Sequence, residues 1–255
     1  MMRRLYWFVC AEIGFDARRF IRFFLGMPRY LRDLSRFRKI YPGKVSIHPC
    51  VQDWHEEGGS AGGEYFLQDL YVAQQVFRAA PEKHVDIGSR INGFAAHVAS
   101  FREIEVFDIR PVTSTVPGIV FRQADLMSAE RVSENYCDSL SSLHALEHFG
   151  LGRYGDPLDV QGHIRGLGNM ARLLKPGGIL YLSSPVGKAR IEFNAQRILD
   201  PREVIRCAEE NGLLLKSIAS VHPDCPLQEA DDPEREIAIL EKMRYALGIF
   251  VFVKQ

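Results

Sequence analysis

Several features that mark specialised classes of protein are missing from this sequence. Its 255 residues carry no net charge at pH 7, so the whole chain gives no electrostatic case for nucleic-acid binding. The five cysteines are scattered and form no CxxC pair, which indicates reduced thiols in a cytoplasmic protein. No apolar run approaches the roughly 20 residues of a transmembrane helix, and the apolar N-terminus has no small-residue cleavage site of a signal peptide.

Acidic side chains are scarce in one part of the chain. Residues 1–44 hold 11 Lys and Arg against three acids, whereas the remaining residues hold 21 basic and 29 acidic side chains. Between Phe20 and Phe37, large apolar residues recur at intervals of three and four with arginines between them. This pattern predicts a basic amphipathic helix that is kinked or broken near Pro28. We therefore expect a helical N-terminal arm over 1–44, followed by one domain over 45–255.

Two interpretations of the arm stay open. In the first, its aromatic face packs on the main domain, and its arginines are solvated or meet the acidic remainder of the chain. In the second, the arm is a peripheral element on the inner face of an anionic membrane, which is typical of basic amphipathic helices. In both cases the protein itself is expected in the cytoplasm.

We expect the stretch His84–Arg110 to form the centre of the fold. A short apolar strand ends at Gly88, a helical pattern follows, and a second strand ends on Asp108. A glycine at such a turn lets a ligand approach the backbone, and the next helix directs free N–H groups at that ligand. Asp108 lies 22 residues after Asp86, close to the roughly 20-residue spacing at which an acid meets a ribose hydroxyl. The stretch therefore predicts a site for a nucleoside-type cofactor.

The full set of glycines of a dinucleotide motif is missing from this turn. Arg90 stands where the second glycine is expected, and Gly93 comes one place late. A bulky side chain there argues against a pyrophosphate lying flat on the turn, but argues less against a ligand without phosphate. A nicotinamide-dependent oxidoreductase, the rival hypothesis, would also need a second dinucleotide-binding half that the sequence does not show.

The remainder of the chain alternates between strand and helix patterns. Strands are predicted at 103–107, 119–122, 136–143, 179–183, 213–221 and 246–254, and helices at 65–79, 163–174, 200–211 and 237–244, with an acidic insertion at 224–235. This alternation predicts an α/β, Rossmann-like fold with a seven-stranded, mostly parallel sheet and an antiparallel last strand. Ligands bind such sheets at the carboxyl ends of the strands, where the polar and titratable residues gather here.

Five motifs resemble, in their order, those of class I S-adenosylmethionine-dependent methyltransferases. They are VDIGSR at 85–90, the acid Asp108, QADL at 123–126, LHALEHF at 143–149 and LLKPGGILYLSSP at 173–185. The tracts 147–159 and 186–199 are similar to an uncharacterised branch of that class, domain of unknown function 268, which is often associated with bacterial surface-glycan biosynthesis. The resemblance covers roughly residues 65–255. It implies the class I methyltransferase fold and S-adenosyl-L-methionine, a ligand without phosphate, as the cofactor.

The resemblance also implies contacts along the methionine and ribose parts of the cofactor. The turn at Gly88 would pass under the methionine part, and Asp86 would lie near its amino group. Asp108 would bind the ribose hydroxyls. Arg90, which departs from the usual glycine, would either reach the cofactor carboxylate or point away from it.

Further implied contacts concern the adenine and the sulfonium. Asp125 and Leu126 would flank the adenine, while Leu143 and His144 would line the pocket near the sulfonium. The complete implied set of cofactor-binding residues is Asp86, Gly88, Ser89, Arg90, Asp108, Ile109, Asp125, Leu126, Leu143 and His144.

Proton removal defines the candidate catalytic residues. A sulfonium methyl group is already electrophilic, so the protein must align the acceptor and remove its proton if the acceptor is a hydroxyl. The candidate bases are His144, His148 and Asp156, with His163 as a further one. His144, Glu147 and His148 could together hold a divalent metal. We favour the alternative without a metal, in which Glu147 and His148 shape the pocket.

The loop 153–159 has the composition of a substrate-binding loop. It supplies a cation, an aromatic ring and two carboxylates, and Asn194 is expected to face the same cleft: Arg153, Tyr154, Asp156, Asp159 and Asn194. A planar ring with carboxylates suits a sugar, although a tight Gly-Asp-Pro turn is also compatible with a structural role. The predicted activity is O-methylation of a sugar or surface-glycan intermediate. The non-enzymatic alternative is a degenerate cofactor-binding subunit that acts as a partner in glycan assembly.

Overall fold

A computed structural model of the chain describes residues 6, 10, 14–56, 62–128, 133–222 and 225–255, with Cys225 described by its backbone only. The chain divides into two compact units, residues 1–60 and 61–255. No helix in the described ranges is long and apolar enough to cross a membrane. The predicted boundary after residue 44 stays a prediction.

The first unit is built on helix α1, Ala17–Ile40. The Asp16 carboxylate caps its start by accepting hydrogen bonds from the backbone N–H groups of Arg18 and Arg19. Two basic residues in the last turn face the negative end of the helix dipole. The helix continues through Pro28 without a break, so the amphipathic pattern on both sides of the proline belongs to a single element.

The second unit is a mixed sheet with helices on both faces. Its strands are β1 His84–Ile87, β2 Ile104–Asp108, β3 Ile119–Gln123, β4 Cys137–Leu143, β5 Leu174–Val186, β6 Arg190–Glu192, β7 Gln196–Ile198, β8 Leu213–His222, β9 Cys225–Glu229 and β10 Ala246–Lys254. Its helices are α2 Glu64–Ala79, α3 Ala96–Ala99, α4 Gly162–Leu173, α5 Pro201–Glu210 and α6 Pro233–Leu240. The β6–β7 pair forms a separate two-stranded hairpin.

The order of strands in the main sheet is β3-β2-β1-β4-β5-β10-β8-β9. Strands β1 to β5 pair in parallel, whereas β10 is antiparallel to both β5 and β8. The predicted Rossmann-like α/β fold with an antiparallel last strand is therefore confirmed. Because β2 and β3 lie on one side of β1 and β4 and β5 on the other, the strand order reverses at β1, and the carboxyl ends of β1, β2 and β4 open onto a common crevice.

The sheet has eight strands rather than seven, because β9 forms within the stretch predicted as an acidic insertion. Among the side chains described in this strand, Leu227 alone packs on the core, while Gln228 and Glu229 are exposed. An edge strand with one solvated face has a mostly polar composition, and this composition concealed it in the sequence. Helix α6 also starts in this stretch, at Pro233, directly after the capping carboxylate of Asp232.

Apolar side chains form one cluster on each face of the sheet. Along β10, Phe250 and Phe252 belong to one cluster and Ile249 and Val251 to the other, as the alternation of side chains in a strand requires. Helices α4, α5 and α6 cover the first cluster, and α2 and α3 cover the second. The fully buried strands fix the positions of the loops at their carboxyl ends, where the candidate site lies.

Candidate active site

A cavity of about 510 Å³, measured out to its open mouth, lies at the carboxyl ends of β1, β2 and β4. Most of the predicted site residues line it: Gly88, Asp108, Ile109, Asp125, Leu126, His144, His148, Tyr154 and Asp156. The others, Asp86, Ser89, Arg90, Leu143, Arg153, Asp159 and Asn194, lie outside its lining.

Gly88 forms the turn at the end of β1. Its φ is +70°, a conformation that favours glycine, and its N–H donates a hydrogen bond to the Phe107 carbonyl at 2.8 Å. A Cβ atom at this position would lie 3.0 Å from the Cβ of Ala145. The turn therefore requires a residue without a side chain, and it brings the ends of β1, β2 and β4 together under the cavity.

Asp86 lies beneath this turn and supports it. Its carboxylate is fully buried and accepts hydrogen bonds from the Ser89 hydroxyl at 2.7 Å, the Ser89 N–H at 3.0 Å and the Ser141 hydroxyl at 2.5 Å. Burial raises the pKa of Asp86 to about 7, although these hydrogen bonds act in the opposite direction. The Ser89 hydroxyl also accepts a hydrogen bond from the Leu143 N–H. The structure thus places Asp86, Ser89 and Leu143 in the framework below the cavity.

Arg90 is not among the residues that line the cavity. It is exposed, and its guanidinium lies 5.0 Å from the centroid of the Tyr65 ring. It lines a neighbouring surface groove together with Asn92, Asp108 and Arg110. Both placements expected for this side chain relative to the cofactor stay predictions.

Asp108, at the end of β2, is held by an arginine two residues later. Its carboxylate accepts hydrogen bonds from Arg110 Nε at 3.0 Å and from Arg110 Nη2 at 2.6 Å. The same guanidinium lies 4.2 Å from the centroid of the Tyr154 ring. The hydrogen bonds to Asp108 raise the pKa of Arg110, although burial acts against the charge. Arg110 and Tyr154 together cross the mouth of the cavity beside Asp108.

Asp125 and Leu126 follow β3 and form the far wall. Asp125 Oδ1 accepts a hydrogen bond from the Met127 N–H at 2.8 Å, which closes a tight turn. The Leu126 carbonyl accepts a hydrogen bond from the Asn169 side chain at 2.8 Å, while its side chain is buried in the core. This wall is mostly apolar and is fixed to helix α4.

His144 is the first residue after β4 and is held by two carboxylates. Its φ is +52°, its Nδ1 lies 2.9 Å from Glu147 Oε1, and its Nε2 lies 3.7 Å from Glu64 Oε1. Burial disfavours the charged ring, but Glu147 and Glu64 outweigh it and raise the pKa of His144. Within the described part of the chain, His144 Nε2 and Glu147 Oε2 are buried without a hydrogen-bond partner. Such unpaired atoms beside a cavity are expected where a ligand binds.

His148 is a buried histidine with a different environment. Its Nε2 lies 3.6 Å from Glu147 Oε1, and its ring packs edge-on against Tyr154 at 5.4 Å. Burial lowers the pKa of His148, and the neighbouring Arg153 acts in the same direction. The imidazole is therefore neutral near pH 7, and a neutral imidazole can accept a proton.

Asp156 organises the loop that follows His148. Its carboxylate accepts hydrogen bonds from the backbone N–H groups of Gly150 at 2.8 Å, Gly152 at 3.1 Å and Tyr154 at 3.1 Å. The buried Arg197 anchors the same region by donating to the carbonyls of Glu147 and Phe149. Asp156 lines the cavity, but its carboxylate is largely committed to the backbone.

Three predicted substrate residues and one candidate base lie apart from the cavity. Arg153 donates to the Ala195 carbonyl at 2.7 Å, and Asp159 pairs with Arg165 at 2.6 Å. Asn194 is exposed in the turn between β6 and β7. His163, at the start of α4, lines a different pocket, and burial together with Arg197 lowers its pKa to about 4.

Several residues that shape the site were not predicted from the sequence. Arg110 lies at the end of the stretch 84–110, but its pairing with Asp108 depends on the turn after β2. Glu64 and Tyr65 begin α2, where Tyr65 lies 4.5 Å from the His144 ring. Tyr245 donates to both oxygens of Glu64 at 2.8 Å. These contacts join α2 and the segment before β10 to the loop after β4, so no local pattern in the sequence indicates them.

A metal site was an alternative for His144, Glu147 and His148. Among the described residues, no group of three or more His, Cys, Asp or Glu side chains is placed to hold a metal ion. The two histidines lie on either side of Glu147 Oε1: His144 Nδ1 hydrogen-bonds this oxygen at 2.9 Å, and His148 Nε2 lies 3.6 Å from it.

The fold is that of the class I S-adenosylmethionine-dependent methyltransferases. The 1,6-didemethyltoxoflavin-N1-methyltransferase of Burkholderia thailandensis, solved with S-adenosylhomocysteine, matches with a TM-score of 0.53 and 14% identity over 80% of this chain and 81% of its own. A TehB-like methyltransferase of Corynebacterium glutamicum matches with a TM-score of 0.50 and 17% identity over 80% of this chain and 95% of its own. The [4+2]-cyclase SpnF matches with a TM-score of 0.52 and 16% identity over 78% and 85%. At these identities the likeness establishes the fold.

One family model also matches the chain. It is described as "Caenorhabditis protein of unknown function, DUF268" and covers residues 120–208, from β3 into α5. This match confirms the resemblance that the tracts around 147–159 and 186–199 predicted. No curated protein matches the chain.

Proposed function

We propose that the protein is an S-adenosylmethionine-dependent methyltransferase. The observation that carries the proposal is the convergence of the Gly88 turn, Asp108 and the Asp125–Leu126 wall on one cavity. A nucleoside ligand needs these three things: a turn it can approach closely, a carboxylate for the ribose, and an apolar slot for the base. The methyltransferase relative from Burkholderia thailandensis, which carries S-adenosylhomocysteine, supports the same assignment.

The residues at the cavity fit this cofactor part by part. Asp108 would bind the ribose hydroxyls, and Leu126 and Phe107 would enclose the adenine. The Gly88 turn, with its close approach to Ala145, would lie under the methionine part. The unpaired Nε2 of His144 is available to a polar group of the ligand. When bound, S-adenosylmethionine supplies an electrophilic methyl group, so the protein contributes mainly alignment and proton removal.

We assign the general base to His148. It lines the cavity, and its lowered pKa keeps the ring neutral near pH 7. His144 is less suited to this role because its raised pKa and its Glu147 contact favour the protonated ring. Asp156 is less suited because three backbone N–H groups already occupy its carboxylate. His144 and Glu147 would instead position the acceptor.

For the acceptor we propose a hydroxyl of a sugar or surface-glycan intermediate. The Tyr154 ring lines the cavity next to His148, where it can stack on the flat face of a sugar ring. The carboxylate of Asp156 stands in the same wall. The four cysteines whose side chains are described are free thiols, which supports a reducing, cytoplasmic setting.

Titration calorimetry with S-adenosylhomocysteine and, separately, NAD tests this function. We expect S-adenosylhomocysteine to bind and NAD not to bind. The variant Asp108→Asn should weaken binding about tenfold or more, since hydrogen bonds to a charged group contribute about 1.5–3 kcal/mol each. Asp231→Asn, an exposed acid outside the cavity, is the matched control. Binding of NAD would indicate an oxidoreductase, and binding of neither ligand a degenerate partner subunit.

A methyl-transfer screen over nucleotide sugars and lipid-linked glycans then tests the acceptor. In any positive reaction, His148→Gln should lower kcat and leave S-adenosylhomocysteine affinity unchanged. If transfer is found only to amines or carbon acids, the hydroxyl acceptor is wrong while methyl transfer stands.

A further inference from the structure

Helix α1 exposes an apolar face between Phe20 and Leu31. The members of this outer face are Phe20, Ile21, Phe24, Leu25 and Leu31, whose side chains are between 52% and 74% exposed. Their spacing places them within less than half of the helix circumference. Phe20 and Phe24 touch edge to face, with ring centroids 4.9 Å apart. Monomeric proteins rarely leave so many large apolar side chains together in solvent, and such a face marks an interaction site.

The opposite side of α1 is already occupied by its own unit. Gly26 is the buried residue of the helix, and a Cβ atom there would lie 2.9 Å from the Cβ of Val51. The Arg29 guanidinium lies 4.4 Å from the Trp54 ring centroid, and Tyr30 accepts a hydrogen bond from the His48 N–H at 3.0 Å. The segment 48–54 therefore packs on the small-residue side of the helix, while the side chains of the outer face are exposed within the described part of the chain.

Almost all the charged side chains on α1 are positive. The helix holds eight basic residues against the single acid Asp33: Arg18, Arg19, Arg22, Arg29, Arg32, Arg36, Arg38 and Lys39. Asp33 pairs with Arg29 and Arg32, and Arg19 lies 3.9 Å from Glu56. Within the described ranges, Arg22, Arg36, Arg38 and Lys39 carry no ion pair. A second copy of this helix would bring like charges together, whereas an anionic surface would neutralise them.

We propose that α1 lies flat on an anionic lipid surface, with the outer face inserted among the acyl chains and the arginines on the lipid head groups. A 24-residue helix is about 36 Å long, which suits a helix in the plane of the interface. It is not apolar enough to cross the bilayer. Arginines beside the apolar face keep their stems in the apolar layer and their guanidinium groups in water. This proposal does not depend on the proposed activity.

Co-sedimentation of the full chain with vesicles tests the proposal. Vesicles of equal parts phosphatidylcholine and phosphatidylglycerol should bind the protein, and vesicles of phosphatidylcholine alone should bind it far more weakly. The triple variant Phe20→Gln, Phe24→Gln, Leu31→Gln should lose most binding. The triple variant Arg22→Gln, Arg36→Gln, Arg38→Gln should weaken binding to the anionic vesicles about a hundredfold, because each basic residue near such a surface contributes about a factor of five.

The matched control is the double variant Phe77→Gln, Arg78→Gln. These neighbouring residues on α2 are also exposed, with Phe77 at 64%, but they lie outside α1. The control should bind vesicles as the wild type does, and all variants should keep the wild-type helix content by circular dichroism. Vesicle binding that survives the triple apolar variant would overturn the proposal. So would self-association without vesicle binding, or binding to duplex RNA that only the charge variant removes.

Discussion

Arg110 has a large effect on what the cavity accepts. Its guanidinium holds both oxygens of the Asp108 carboxylate and packs on the Tyr154 ring. At the proposed cofactor site, a ribose would use the same two oxygens of Asp108 and would compete there with Arg110. Displacing Arg110 would also remove its contact with the Tyr154 ring. Binding of the proposed cofactor would therefore be linked to the position of Tyr154 through this arginine.

The variant Arg110→Ala is expected to bind S-adenosylhomocysteine about fivefold more tightly, because a half-exposed ion pair contributes about 1 kcal/mol that the ligand no longer has to replace. Titration calorimetry measures the change directly. Arg122→Ala is the control, since Arg122 is a similarly exposed partner of Glu105 outside the cavity. Weaker binding by Arg110→Ala would show that the arginine holds the cofactor rather than competes with it.

The position of a residue at the cavity was predictable where it depends on the local chain. Gly88 and Asp108 follow strands whose apolar runs are visible in the sequence, and the structure places both at the cavity. The contact between Glu64 and His144 joins residues 80 positions apart through the packing of α2, so no local pattern announces it. Asp156 looked like a free carboxylate because the sequence does not show the backbone N–H groups that surround it.

At the scale of one element, β1 buries two titratable groups of opposite kind. His84 is buried between the hydroxyls of Ser139 and Ser141, and burial lowers its pKa from 6.5 to about 3. Asp86 lies two residues later on the same strand, and burial raises its pKa from 3.8 to about 7. As the pH falls below 6.5, His84 becomes protonated in the unfolded chain but stays neutral in the native state. The free energy of unfolding therefore decreases. Over the same range Asp86 is protonated in the native state but ionised in the unfolded chain. This difference increases the free energy of unfolding as the pH falls.

These two contributions are expected to cancel between about pH 4 and 6.5, because each amounts to about 1.4 kcal/mol per pH unit. In Asp86→Asn only the His84 contribution remains. Its free energy of unfolding should therefore fall by about 1.4 kcal/mol per pH unit relative to the wild type as the pH is lowered through this range. Urea denaturation at several pH values measures the slope. His84→Gln should show the opposite change, and parallel slopes for all three proteins would contradict the assignment.

A strand or helix was easier to predict where its burial gives its sequence a clear pattern of apolar residues. Strands β1 and β4 lie in the middle of the sheet, and their apolar or small residues marked them clearly. Strand β9 lies at the edge and is polar, so it was missed. Strand β5 begins at Leu174, where the sequence predicted the end of a helix and a turn. The pairing register with β4 shifts across residues 175–178, so this turn-like sequence is an irregularity within a strand.

At the scale of the whole molecule, the mostly parallel sheet with an antiparallel last strand was predictable, because alternating strand and helix patterns are typical of parallel strands joined through covering helices. The polar residues at the predicted strand ends then indicated the edge of the sheet where the cavity lies. The acceptor loop was not predictable in the same way, because its shape depends on Asp156, Arg197 and the β6–β7 hairpin. These contacts join separate segments, and no periodic pattern in the sequence indicates that the segments meet.

The division into units at residue 60 leads to a last prediction. Every residue described at the cavity, and every support of it named above, belongs to 61–255. A fragment of residues 61–255 should therefore unfold in one cooperative transition and bind S-adenosylhomocysteine as tightly as the full chain, while losing binding to anionic vesicles.

A fragment that begins at residue 80 lacks α2. It loses the hydrogen bond from Ser183 to Gln68 and the contacts of Glu64 and Tyr65 with His144, and it should bind no ligand. Thermal melts with and without S-adenosylhomocysteine distinguish these outcomes, and loss of ligand binding by the 61–255 fragment would mean that the first 60 residues contribute to the site.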